Sequence, residues 1–202
     1  METSNRAKQL KPYHGITIFI LVLLMLIFVA APIQEKLGIY GVAVTEVIIL
    51  LLAVIPAILL KTGLREVFPI KKPAFRQIIG TLVIWIGSFL AVTLVTLITG
   101  YLFPDGLGKV SSALRGVFTS VPMGIAFLII AVMPAVCEEA LHRGIILASF
   151  NCLKNRWIKI LCMGIIFGIF HLDPFRFLPT AILGMAITYI MIQTQNILLP
   201  IF

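Results

Sequence analysis

The run Cys137-Glu138-Glu139-Ala140-Leu141-His142-Arg143 sets four ionisable side chains within six residues, between the apolar stretches VPMGIAFLIIAVMPAV and GIILASF. A charge at bilayer depth costs roughly 2.5–3.5 kcal/mol, so such residues face a bundle interior and carry a task. Helical spacing separates the two glutamates. Glu139 and Arg143 are four apart, so they stack on one face about 6 Å apart at Cβ and neutralise each other. Glu138 points about 100° away and has only His142 as a local partner, which leaves its carboxylate free to face a cavity and act as a base. A further apolar stretch ends in Phe167-Gly168-Ile169-Phe170-His171. A carboxylate and an imidazole at one depth in a hydrated pocket are the parts needed to activate a water, or to hold a metal ion that does so.

The elements that must position these groups are membrane helices. The 202-residue chain is 60% hydrophobic and 12% charged, with a mean hydropathy of +1.12; a soluble domain carries about 25% charged residues. Apolar runs fall at 16–31, 39–60, 77–103, 121–153, 157–171 and 175–193. Measured against the about 20 residues that cross a bilayer, they predict an all-α polytopic bundle with about six visible spans. A truncated seventh starts at Asn196. The run from 15 to 33 exceeds a signal-peptide core of about 7–15 residues and is kept as a span. Two parts are expected, residues 1–120 as N-terminal helices and loop, and 121–202 as the core that carries the chemistry. Pro134 predicts a kink that helps open a cavity. Depths agree: counted from a connection near 151–156, Glu138 lies about 18–20 Å into its helix and His171 about 22 Å into the next.

The net charge of +8 reflects topology and lipid contact, because the basic residues flank spans instead of forming an aromatic-interleaved nucleic-acid surface. With the N-terminus in the cytoplasm, the internal segments hold Arg6, Lys8, Lys11, Lys61, Arg65, Lys71, Lys72, Arg76, Lys154, Arg156 and Lys159; the external ones hold only Lys36, Lys109, Arg115 and Arg176. That is the positive-inside pattern. The loop 104–120 is water-compatible and predicts an interfacial helix over 111–118. Cys137, Cys152 and Cys162 show no metal-site spacing and read as reduced packing residues. Glu46 reads as a snorkelling or paired acid, Asp173 as a turn residue that could instead orient His171, and His142 as structural or cavity-lining. His14 has no assigned role. Gly164 and Gly168, four apart, predict close approach of a neighbouring backbone.

Glu138-Glu139-x-x-x-Arg143 followed by Phe167-x-x-x-His171 in the next helix resembles the CPBP family, the type II CAAX prenyl endopeptidases and bacteriocin-processing proteases, also called the ABI family. Pro134-Ala-Val-Cys-Glu-Glu, Gly144, His171-Leu-Asp-Pro and Thr194-Gln-Asn-Ile-Leu-Leu-Pro match as well, so the resemblance covers 121–202. It implies an intramembrane endopeptidase in which Glu138 activates water, His171 assists or ligates a metal, and Glu139, Arg143 and Phe167 shape the site. The resemblance leaves open a metalloprotease, with a divalent metal such as zinc on Glu138 and His171, or a metal-independent glutamate protease. The implied partners are a membrane-associated prenylated or leader peptide and the lipid bilayer, without nucleic acid, in a bacterial plasma membrane. The family's third motif, His-x-x-x-Asn or Asp, is expected beyond Pro200, and His142 stands where relatives commonly carry an aromatic. The rival readings are a non-catalytic scaffold or bacteriocin-immunity-type protein on the same helices, and a proton-relay transporter, which no inverted repeat supports.

Overall fold

The computed structural model describes residues 9–201, so Arg6 and Lys8 of the charge pattern lie outside the described residues. Those described form nine helices and no strand: α1 Pro12–Leu37, α2 Ile39–Leu59, α3 Leu64–Val67, α4 Phe75–Leu102, α5 Pro104–Thr119, α6 Met123–Ser149, α7 Arg156–Phe170, α8 Pro174–Thr194 and α9 Leu198–Ile201. In lipid every backbone polar group needs an internal partner, and apolar runs of this length meet that demand as helices. The protein is an all-α polytopic integral membrane bundle.

Five of these helices, α1, α2, α4, α6 and α8, are long and apolar enough to cross a membrane. The span expected over 157–171 is α7, with 15 residues. At 1.5 Å per residue it reaches about 22 Å, short of a hydrocarbon core of about 30 Å. Of the six expected segments, α7 is the one that falls below this length. The amphipathic helix expected over 111–118 is longer, filling Pro104–Thr119.

Two spans contain a proline just after a π-helical turn. Leu26–Ala30 precedes Pro32 in α1, and Leu128–Val132 precedes Pro134 in α6. A proline ring removes one donor and collides with the carbonyl four residues back; a wider turn relieves both. Pro134 is thus accommodated by a widened turn, and the helix runs on to Ser149. A third π segment, Ala140–Ile146, has no proline and carries His142 and Arg143. Such turns concentrate at functional sites.

One core joins the chain's two parts. Val22 of α1, Ile49, Ala53 and Ala57 of α2, Leu141, Ile145 and Ile146 of α6 and Met163 of α7 are buried together. The α7–α8 crossing depends on glycine. A Cβ on Gly164 would strike Met185 and lie 2.8 Å from the Ala181 carbonyl, one on Gly168 would lie 2.8 Å from Phe177, and one on Gly184 would lie 2.7 Å from Phe167. The close approach read from Gly164 and Gly168 is realised, with Gly184 as the third member. At the end of α8, buried Asn196 accepts the Lys71 N–H at 3.2 Å and donates to the Lys71 carbonyl at 2.8 Å, while Ile197 N–H donates to the Pro69 carbonyl at 2.8 Å. Two sequence-distant segments are thereby clamped together. All three cysteines are free; Cys137 is buried as a packing residue should be, but Cys152 is exposed in the turn after α6.

Candidate active site

The closed half of the site is an ion pair. Arg143 Nη1 donates to Glu139 Oε1 at 2.7 Å, and both side chains are nearly inaccessible to solvent. Arg143 Nη2 donates to the Gly184 carbonyl at 3.1 Å, and its guanidinium lies over the Phe167 ring, 4.6 Å from the centroid. Spacing alone predicted the pair. The carbonyl and the ring come from α8 and α7, which reach Arg143 because the glycines let these helices close in. A buried pair survives only when its remaining valences are met, and here Glu139 Oε2 and Arg143 Nε are left without partners.

The open half lies around Glu138. This side chain is half-buried and, among the described residues, its carboxylate accepts no hydrogen bond. His142 does not serve as its partner: the imidazole Nδ1 bonds the Glu138 backbone carbonyl at 2.9 Å. A carbonyl only accepts, so Nδ1 carries the proton and Nε2 presents a lone pair; that Nε2 is buried without a partner. His171 repeats the arrangement one helix away, with Nδ1 donating to the Phe167 carbonyl at 2.9 Å. Its Nε2 is likewise the basic nitrogen. The two imidazoles flank the same two rings: His142 lies 5.0 Å from Phe167 and 4.8 Å from Phe170, and His171 lies 5.0 Å and 5.5 Å from them.

No hydrogen bond links Glu138 to His171; they share Arg143 and Arg176 as electrostatic neighbours. Asp173 is committed elsewhere. Its carboxylate caps α8 by accepting the Phe175 N–H at 2.8 Å and the Arg176 N–H at 3.3 Å, which decides for the turn reading over the imidazole-orienting one. His14 closes the first turn of α1, where its Nδ1 accepts the Lys11 N–H at 3.0 Å.

Sequence reasoning missed Glu46. Expected to snorkel or pair, it is 5% exposed in the middle of α2, with Oε2 buried and unpartnered, and it couples electrostatically to Glu138 and to Cys137. The α2 helix packs along the 133–146 part of α6, which brings a second carboxyl to the open half. The available signal was an acid inside an apolar run, costly wherever it lies. Arg176 was counted only as a loop charge, and its coupling to Glu138 and His171 depends on the turn that Asp173 caps.

A divalent metal on Glu138 and His171 would need more ligands, since a catalytic zinc takes three from the protein. Among the described residues no three His, Cys, Asp or Glu side chains converge as metal ligands. Glu138 and His171 by themselves fall short of the three protein ligands such a centre takes. The four cavities described, of about 860, 610, 480 and 500 Å³, are lined by neither Glu138 nor His171. The hydrated pocket expected around them is therefore not among these four.

Residues 120–202 match a family model described as Type II CAAX prenyl endopeptidase Rce1-like. The match covers the segment that carries both motifs. No curated protein and no solved structure matches the chain.

Proposed function

We propose that this protein hydrolyses a peptide bond of a membrane-anchored substrate, a prenylated protein or a leader peptide, at the Glu138 centre. The observation that carries the reading is the unequal fate of two consecutive carboxylates. Glu139 is consumed by Arg143, whereas Glu138 has no hydrogen-bond partner among the described residues. A carboxylate kept unpaired inside a membrane bundle is expensive, and a general base is a task that needs it so.

In this reading Glu138 takes a proton from water as the oxygen adds to the scissile carbonyl carbon. His171 Nε2 accepts the second hydrogen of that water and fixes its direction of attack. The charge that develops on the carbonyl oxygen is offset by Arg176, one of the two cations that neighbour both residues electrostatically. Collapse of the tetrahedral intermediate breaks the C–N bond, and the departing amine receives the proton held by Glu138. Glu46 stands beside Glu138 as a second carboxyl able to hold that proton between turnovers. The N-terminus faces the cytoplasm of a bacterial plasma membrane, as the distribution of Lys and Arg favours. Residues 121–202 supply the motifs, and α2 from the N-terminal part completes the site.

The test is cleavage of a farnesylated peptide by the purified full chain in liposomes. Glu138→Gln is expected to lower kcat/KM by about 10²–10⁴-fold with an unchanged unfolding temperature; cleavage at the wild-type rate by that variant would overturn the mechanism. The competing reading is a non-catalytic scaffold or immunity-type partner on the same helices. It predicts no cleavage by the wild-type chain of either a farnesylated or a leader peptide.

A further inference from the structure

The α4 helix, Phe75–Leu102, is the span whose apolar surface is least covered by the rest of the bundle. Along it runs a groove of about 610 Å³, lined by Pro73, Ile78, Leu82, Trp85 and Phe89 and by Leu199 of α9. Its lining is apolar over most of its length, and from Ile78 to Leu90 it extends about 18 Å, close to the about 15 Å depth of one leaflet. The chain leading into it is basic. Lys71, Lys72 and Arg76 are exposed around Pro73, and among the described residues none of them pairs with a carboxylate. Glu66 is the single acid between Lys61 and Arg76. The basic segment is held in place, because the Asn196 amide grips both backbone groups of Lys71 and Ile197 binds Pro69.

We infer that this groove is a binding site for an anionic phospholipid, with an acyl chain along Ile78, Leu82 and Phe89 and the phosphate against Lys72 and Arg76. An apolar slot alone would accept any lipid tail. The choice of an anionic headgroup follows from unneutralised cations at the interfacial end of the slot, the arrangement by which basic pockets between membrane helices select headgroups. The site is independent of the proteolytic reading. It involves neither Glu138 nor His171, and its test needs no substrate.

The chain carries its own reporter, since Trp85 lines the groove and Trp157 is the only other tryptophan. In a Trp157→Phe background, the full chain is reconstituted in phosphatidylcholine with increasing fractions of brominated phosphatidylglycerol or brominated phosphatidylcholine, and Trp85 fluorescence is followed. Brominated phosphatidylglycerol is expected to reach half-maximal quenching at a mole fraction at least about fivefold lower than brominated phosphatidylcholine, about fivefold being the worth of one cation near an anionic surface. Lys72→Gln/Arg76→Gln should erase that difference, whereas Lys154→Gln/Lys159→Gln, on the other basic connection, should preserve it. Equal quenching by the two lipids would overturn the inference. So would an equal loss of preference in both double variants, which would mean general attraction of anionic lipid to a basic surface. Quenching by brominated phosphatidylglycerol that is undiminished in Lys72→Gln/Arg76→Gln would also overturn it.

Discussion

Glu138 and Glu139 are adjacent in sequence, yet the two sides of α6 that they occupy are built on opposite terms. On the Glu139 side the charge is paired: Arg143 meets it at 2.7 Å, the Gly184 carbonyl takes a second guanidinium nitrogen, and the Phe167 ring lies over the guanidinium, with Glu139 Oε2 and Arg143 Nε left unpartnered. On the Glu138 side the carboxylate accepts no hydrogen bond among the described residues, its electrostatic neighbour Glu46 has an unpartnered Oε2, and His142 Nε2 is buried without a partner. The first arrangement holds three helices together. The second spends stability and is the one suited to moving protons.

Arg143→Met breaks the closed side and should show the largest effect. It strands a buried carboxylate, and unfolding in a detergent titration should become easier by about 3–5 kcal/mol. Removing both charges sharpens the point, because Glu139→Leu/Arg143→Met should recover most of that loss; replacement of a buried pair by apolar residues is often neutral or stabilising by about 1–4 kcal/mol. A double variant as unstable as Arg143→Met would show that the guanidinium serves α7 and α8 more than it serves Glu139. On the open side, Glu46→Leu removes a buried oxygen with no partner, and the same titration should show a gain of about 1–3 kcal/mol accompanied by loss of cleavage. A loss of stability would instead reveal a structural partner for Glu46. The smallest change is expected for His142→Phe, which keeps an aromatic ring against Phe167 and Phe170 while removing the buried Nε2. It should shift stability by less than about 1.5 kcal/mol.

The closed side was legible in the sequence and the open side only in part, for a physical reason. Glu139 and Arg143 belong to one helix, so a four-residue spacing is enough to pair them. Gly164 and Gly168 likewise announce a close crossing by their period. Glu46 reaches Glu138 from ninety-two positions earlier in the chain, and only the packing of α2 on α6 brings them together. Gly184 contributes a carbonyl and a missing Cβ, neither of which a motif records. The segment expected over 157–171 has the length of α7, Arg156–Phe170, and is displaced from it by one residue because hydropathy continues through His171 into the turn. The widened turns before Pro32 and Pro134 follow from the prolines, but the one at Ala140–Ile146 has no local cause in the sequence.

The most direct measurement compares Glu138→Gln and Glu139→Gln in one preparation, reading cleavage of a farnesylated peptide and detergent-induced unfolding on the same samples. The account predicts a folded, inactive Glu138→Gln and a less stable Glu139→Gln that still cleaves. The reverse pattern, with Glu138→Gln active or Glu139→Gln inactive while fully stable, would contradict it.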